Sequence, residues 1–152
     1  MLTRRSLLAT AAALPVAALL AGPTMAAQTE VFITDNVAIN GYDPVAYFTD
    51  AKPVLGNAAL NSVFNGATWH FASAENKASF DADPAKFAPQ FGGYCAYAVS
   101  KGYTAPTDPN AWTVHDGKLY LNYSLRARDL WSEDVPGNIT KGNANWPAVL
   151  SN

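Results

Sequence analysis

Alternating apolar and polar residues predict a β-hairpin around Asn65-Gly66, a dipeptide that favours the tight type I′ turn. Successive side chains of a strand point to opposite faces. The register set by this turn therefore places Trp69 and Phe71 on one apolar face of the hairpin, and His70 on the other face.

A second hairpin is predicted around Asp116-Gly117, which is again a favoured two-residue turn. Its apolar face consists of Trp112, Val114, Leu119 and Leu121. His115 lies on the opposite, more polar face, as His70 does in the first hairpin. The two histidines of the chain thus occupy similar positions on separate hairpins.

Helix signals lie between and after the hairpins. Ser73 is a favoured N-cap residue and predicts a helix over residues 74–80. Ser124 predicts a C-terminal helix that ends at about residue 133. Beyond it, the chain is expected to be broken up by Pro136, Gly137 and Pro147.

Residues 91–100 are predicted to form a strand, which would place Cys95 and Tyr97 on the same side of a sheet. Strands and helices follow one another without the regular alternation of a parallel βαβ fold. The predicted fold class is therefore α+β, with a small antiparallel sheet of hairpins packed with short helices.

The first 26 residues have the pattern of a secretory signal. Arg4 and Arg5 precede an uncharged apolar stretch, which ends in small residues up to Ala26. Paired arginines in this position indicate the twin-arginine type of signal, and we expect cleavage after Ala26. The alternative is a membrane anchor, but Pro15 interrupts the apolar stretch, which is also short for a span.

The rest of the chain is predicted to form one domain at residues 37–152, preceded by a linker at residues 27–36, and to reside in the periplasm. The formal charge of −2 becomes −4 when the two arginines leave with the signal. An acidic domain without a basic run argues against nucleic-acid binding. No second apolar stretch is long enough to span a membrane.

Cys95 is the only cysteine of the chain and follows closely after Gly92-Gly93. A thiolate with imidazole nitrogens is a good ligand set for Cu(I) or Zn(II). If the polar faces of the two hairpins meet near the thiol, Cys95, His70 and His115 would form a trigonal metal site. Two alternatives stay open: Cys95 is a buried small hydrophobic residue, or it is the nucleophile of a Cys–His dyad.

Other motifs of catalytic sites are missing from the sequence, which contains no G-x-S-x-G element, H-E-x-x-H helix or phosphate-binding loop. Asp43-Pro44 is assigned to a turn. Tyrosines are numerous around the cysteine segment and offer phenol groups to a pocket or a partner. They are Tyr42, Tyr47, Tyr94, Tyr97, Tyr103 and Tyr120.

Taken together, several segments of the chain resemble the YHS domain family. Residues 40–48 and residues 69–77 carry the resemblance to the domain itself. Residues 92–99 and 112–122 look like the longer, exported branch of that family. The resemblance extends over roughly residues 38–147.

This resemblance implies a small α+β module that binds metal, with copper as the expected ion. Metal-type members carry cysteines in the segment between hairpin and helix, at positions that match Ala72 and Asn76 here. Any site in this chain would therefore use Cys95 with His70 or His115. We expect an exported, non-enzymatic copper carrier or sensor that works with a metal-handling partner protein. The alternatives are a thiol-dependent redox or transfer enzyme centred on Cys95, and a metal-free module that docks a partner.

Overall fold

The strands form two small sheets in the structure, a computed structural model that describes residues 27–152. The predicted signal at residues 1–26 lies outside the described residues. The strands are β1 (Ile33–Thr34), β2 (Val37–Ala38), β3 (Asn57–Phe64), β4 (Ala67–Phe71), β5 (Asp108–His115) and β6 (Lys118–Asn122). The first sheet has the order β1-β2-β4-β3, and β5 pairs with β6 in the second. All pairings are antiparallel except β2 with β4.

Short helices surround the sheets and confirm the α+β fold class. They are α1 (Ala46–Thr49), α2 (Ala74–Ala82), α3 (Pro84–Phe87), α4 (Ala96–Ser100), α5 (Leu125–Ser132) and α6 (Val135–Asn145). Three 3₁₀ segments cover Ile39–Gly41, Gln90–Gly93 and Ala148–Ser151. Among residues 27–152, no helix has both the length and the apolar character needed to cross a membrane.

Both predicted hairpins form in the expected register. Val63 pairs with Thr68 in the first hairpin, and Val114 pairs with Leu119 in the second. The turn residues have positive φ angles, for example 49° at Asn65, as a type I′ turn requires. The local turn chemistry was thus sufficient to fix the pairing of these strands.

The predicted N-caps of two helices are also confirmed. The hydroxyl of Ser73 accepts a hydrogen bond of 3.1 Å from the amide of Asn76 at the start of α2. Ser124 accepts one of the same length from the amide of Ala127 at the start of α5. Each bond satisfies an amide that the first turn of a helix otherwise leaves unpaired.

The strand predicted at residues 91–100 is wrong. Phe91, Gly92 and Gly93 all have positive φ angles, of 55°, 61° and 83°, which an extended strand does not allow. The chain turns there and continues into α4. Gly92 packs so closely on the backbone of Glu30 that a side chain at this position would overlap it.

The tail after α5 also differs from its prediction, because it forms a helix. Pro136 lies in the first turn of α6, where its missing N–H costs nothing, and it therefore starts the helix instead of breaking it. The carboxylate of Asp134 caps this helix by accepting a hydrogen bond of 3.0 Å from the amide of Gly137.

Residues 27–36, expected to be a linker, pack on the domain. Val31 is buried, and the amide of Phe32 donates a hydrogen bond of 2.9 Å to the carbonyl of Gly92. The amide of Gln28 bonds to the carbonyl of Leu150 near the other end of the chain.

Strand β6 separates two hydrophobic cores. Leu119 and Leu121 point into the first core, beside Trp69, Phe71 and Phe80. On the opposite face, Tyr120 packs in the second core, which also contains Phe91, Val99 and Trp131. Tyr120, on the face of the second hairpin that looked polar in the sequence, is therefore covered by this second core.

Candidate functional site

The thiol of Cys95 lies at the start of α4, almost completely buried, with 2% of the residue exposed. Its sulfur accepts a hydrogen bond of 3.4 Å from the amide of Ala98 and therefore caps the helix. The same sulfur lies 3.5 Å from the side-chain oxygen of Asn122, to which its S–H donates. Both contacts hold the thiol in place as part of the protein framework.

Asn122, at the end of β6, connects this thiol to the second sheet. Its side-chain oxygen also accepts a hydrogen bond of 3.0 Å from the amide of Tyr97. The residue is completely buried, and its side-chain nitrogen has no hydrogen-bond partner within residues 27–152. We refer to Cys95, Asn122 and the amides of Tyr97 and Ala98 as the Cys95 cluster.

A cavity of about 340 Å³ opens beside the Cys95 cluster, between α4 and the first turns of α5. Its lining is mostly apolar and aromatic and includes Cys95, Tyr97, Tyr103, Tyr123, Arg126 and Leu130. Tyr103 and Tyr123 are more than half exposed, at 53% and 59%. Small-molecule sites are concave, mostly apolar and of about this size, with a few polar groups.

His70 lies elsewhere, on the half-buried face of β4. It lines a second, more open pocket of about 430 Å³ together with Asp35, Asn40 and Gly41. Of the lining residues of this pocket, His70 and Asp35 are the two whose side chains commonly bind transition metals.

His115 occupies the tip of the second hairpin, next to the turn. Its Nε2 atom lies 3.3 Å from a carboxylate oxygen of Asp116, and 38% of its side chain is exposed. This is a surface contact between neighbours in sequence, and exposed pairs of this kind contribute little to stability.

The three predicted metal ligands are not brought together. Cys95, His70 and His115 contact different groups, and neither histidine bonds to the thiol among the described residues. Across residues 27–152, no group of three or more His, Cys, Asp or Glu side chains is arranged to hold a metal ion. The trigonal arrangement considered from the sequence, and the Cys–His dyad, are therefore absent from this part of the chain.

A second buried polar centre surrounds Asp43, which is completely buried. One carboxylate oxygen accepts hydrogen bonds from the amides of Val45 and Ala46, at 2.8 and 3.3 Å. The other accepts from the amide of Ala72 and from the side-chain nitrogen of Asn76, both at 2.8 Å. These residues are the Asp43 cluster. The turn assigned to Asp43 is present, but the bonds across to α2 were not foreseen.

The corner between β4 and α2, with the residues before it, is the part of the chain that matches a known family. A YHS domain spans residues 45–91. YHS domains are associated with metal binding, chiefly of copper. Searches of curated proteins and of solved structures gave no match to this chain.

The residues of this YHS domain do not fit a copper ion. Ala72 and Asn76, the positions where the resemblance to metal-type members predicts cysteines, both donate hydrogen bonds to the carboxylate of Asp43. His70 is the one predicted ligand inside the matched span. Neither position carries a soft ligand, and the carboxylate of Asp43 is already bonded to four donors, so this corner offers no ligand set for copper.

The cavity beside the Cys95 cluster lies entirely outside the YHS span, because its lining begins at Cys95. Of the lining residues, Cys95, Tyr97 and Tyr103 were singled out from the sequence, whereas Tyr123 and Arg126 were not. One signal was available, since Arg126 and Leu130 are four residues apart on the predicted C-terminal helix and share a face.

Proposed function

We propose that this protein is a non-enzymatic binding protein that holds a small, largely apolar molecule in the cavity beside Cys95. One observation carries the proposal: an aromatic cavity of about 340 Å³ whose walls come from α4 and α5. Exposed tyrosine rings at its mouth leave apolar surface that a ligand would cover. The metal-free module considered from the sequence is the closest of the earlier hypotheses.

The surroundings of Cys95 support binding over thiol catalysis. A reactive thiol is activated by a neighbouring base or positive charge. Here the sulfur contacts a backbone amide and the oxygen of Asn122, and no histidine bonds to it in the described range.

A dye titration tests the proposal. N-phenylnaphthylamine is neutral and apolar, and its fluorescence rises when it leaves water. It should bind the purified protein, and Ala127→Trp, which fills the cavity, should reduce its affinity by about tenfold or more. Ala58→Trp fills the pocket near His70 and is the matched control.

Equal loss of binding in both variants, or no binding to the unaltered protein, would overturn the proposal. Circular dichroism and melting temperature identify a variant that fails to fold. If Ala127→Trp is misfolded, the smaller change Ala127→Leu gives the same comparison with a weaker expected effect.

The YHS match supports copper binding as the second candidate function, with a metal-handling protein as partner. In this case Cys95 would have to release its bond to Asn122 before it could act as a ligand with His70 or His115. Reduced protein titrated with Cu(I) against a chelator would bind about one equivalent, and Cys95→Ala would abolish this. A metal that binds the native state must raise the melting temperature. If the protein binds an apolar ligand and no copper, Cu(I) should therefore leave the melting temperature unchanged.

Export to the periplasm is also part of the proposal. It is supported by the arginine pair and the apolar stretch of the first 26 residues. Cell fractionation should recover a mature form that begins near Ala27 outside the cytoplasm. Replacement of Arg4 and Arg5 by lysine should hold the precursor inside, and unchanged export of that variant would contradict the twin-arginine assignment.

A further inference from the structure

The cavity beside Cys95 has a charge pattern that the proposed function does not use. Arg126 is the one charged residue in its lining, which contains no aspartate or glutamate. Lys101 brings a second positive charge nearby, with its Nζ atom 5.1 Å from the centre of the Tyr97 ring. The lining thus has one cation of its own, and a second cation lies close to one of its aromatic rings.

Neither cation is neutralised by the described part of the protein. The ion pairs found within residues 27–152 involve Lys77 and His115, so Arg126 and Lys101 have no acidic partner there. Asp129 follows Arg126 by three positions on α5 but lies outside ion-pair distance. The whole chain carries a formal charge of −2, so these cations run against its overall charge.

The tyrosines of the lining indicate the apolar part of the ligand. Tyr97, Tyr103 and Tyr123 present aromatic rings to one cavity, and such rings pack well against planar apolar groups. A guanidinium group binds a carboxylate through two parallel hydrogen bonds, in a geometry that a lysine cannot reproduce.

We infer that the ligand of this cavity is a small planar aromatic molecule that carries one carboxylate, with Arg126 as the residue that binds the carboxylate. The inference rests on the proposed binding function and adds the chemical class of the ligand. It also assigns a specificity role to Arg126 that is independent of the YHS span.

A matched pair of probes tests this inference. Naphthoate and naphthamide have nearly the same shape, but only naphthoate is charged. Calorimetric titration of the purified protein at low salt should give about tenfold tighter binding of naphthoate, as expected for a charge-assisted hydrogen bond. Arg126→Gln should weaken naphthoate binding much more than naphthamide binding and so remove this preference. Arg128→Gln, on the same helix but outside the lining, is the control and should retain the preference.

The outcomes separate the two proposals. Binding of the neutral dye with equal affinity for naphthoate and naphthamide would overturn the carboxylate inference and leave the binding function standing. A naphthoate preference that survives in Arg126→Gln would overturn the role of Arg126. If neither the dye nor the two probes bind, the binding function fails and the inference fails with it.

Discussion

The Asp43 cluster and the Cys95 cluster are both buried polar centres, but one is saturated and the other is not. Asp43 accepts four hydrogen bonds from the polypeptide, and both of its oxygens are used. Asn122 in the Cys95 cluster keeps a buried nitrogen without a partner among residues 27–152, and a cavity opens beside Cys95. A saturated centre holds a fold together, whereas an open one leaves room for a ligand.

The difference between the two clusters follows the boundary of the matched YHS span. Asp43 lies just before the YHS span, and its bonds to Ala72 and Asn76 connect the start of that span to the corner between β4 and α2. The Cys95 cluster lies in the segment after residue 91, which builds the second core. The matched YHS span thus ends before Cys95, and the open site lies in the part of the chain that no family match covers.

The largest effect that we predict is for Asp43→Ala, which leaves four donors without an acceptor, including the buried amides of Val45 and Ala46. We expect the free energy of unfolding to fall by about 3–5 kcal/mol in urea denaturation. Asn76→Ala, the control, removes one donor and should cost about 1 kcal/mol. A loss below about 1 kcal/mol in Asp43→Ala would break the distinction between the two clusters.

A smaller loss of about 2 kcal/mol is expected for Asn122→Ala. The change leaves the amide of Tyr97 without its acceptor, but it also removes the unpaired nitrogen of Asn122. Thiol reagents should react faster with Cys95 in this variant than in the unaltered protein, because the sulfur loses a packing contact. Asn110→Ala, at an exposed position, should change neither measurement. If Asn122→Ala lost as much stability as Asp43→Ala, the Cys95 cluster would be as important for the stability of the fold as the Asp43 cluster.

The next prediction concerns the stability of the first core at alkaline pH, where Tyr47 becomes ionised on unfolding. Burial, followed by the nearby charges of Tyr42 and Asp108, holds the pKa of Tyr47 well above its usual value of about 10. Its contribution to stability is full below pH 10 and is lost as the pH rises towards the native pKa, at up to about 1.4 kcal/mol per pH unit.

Tyr47→Phe should make the free energy of unfolding less dependent on pH above 10. The variant should also lose about 1 kcal/mol at neutral pH, because the hydroxyl donates to the carbonyl of Pro109. Tyr123→Phe, at an exposed position, is the control. An unchanged slope in Tyr47→Phe would show that ionisation of this residue is not coupled to unfolding.

The smallest effect concerns the surface of the YHS domain. Lys77 forms an ion pair of 2.6 Å with Asp81, and hydrogen bonds from Lys77 and Ser62 lower the pKa of that carboxyl. Because both side chains are exposed to solvent, Lys77→Ala should cost only about 0.3–0.5 kcal/mol at low salt. The stabilisation is present above the usual pKa of an aspartate and disappears as the pH falls through the native pKa. A loss that persists in about 1 M salt, roughly seven times physiological ionic strength, would contradict a screened surface pair.

The sequence by itself determined the local elements and the fold class. Two-residue turns set the registers of both hairpins, and serine caps started α2 and α5, because these signals act over a few neighbouring residues. It failed at residues 91–100, where positive φ angles at Phe91 and two glycines replaced the expected strand by a turn and a helix. Side-chain patterns do not report such backbone angles.

Only the tertiary structure decided which polar residues meet. Cys95 bonds to Asn122, which is 27 positions away in the sequence. Asp43 accepts hydrogen bonds from Ala72 and Asn76, which are about 30 positions away. Neither histidine bonds to the thiol among residues 27–152. These partners are chosen by the packing of two cores on either side of β6, which no local pattern encodes. A turn or a cap depends on residues that are already neighbours, but a site depends on where long-range packing leaves polar groups paired and where it leaves space.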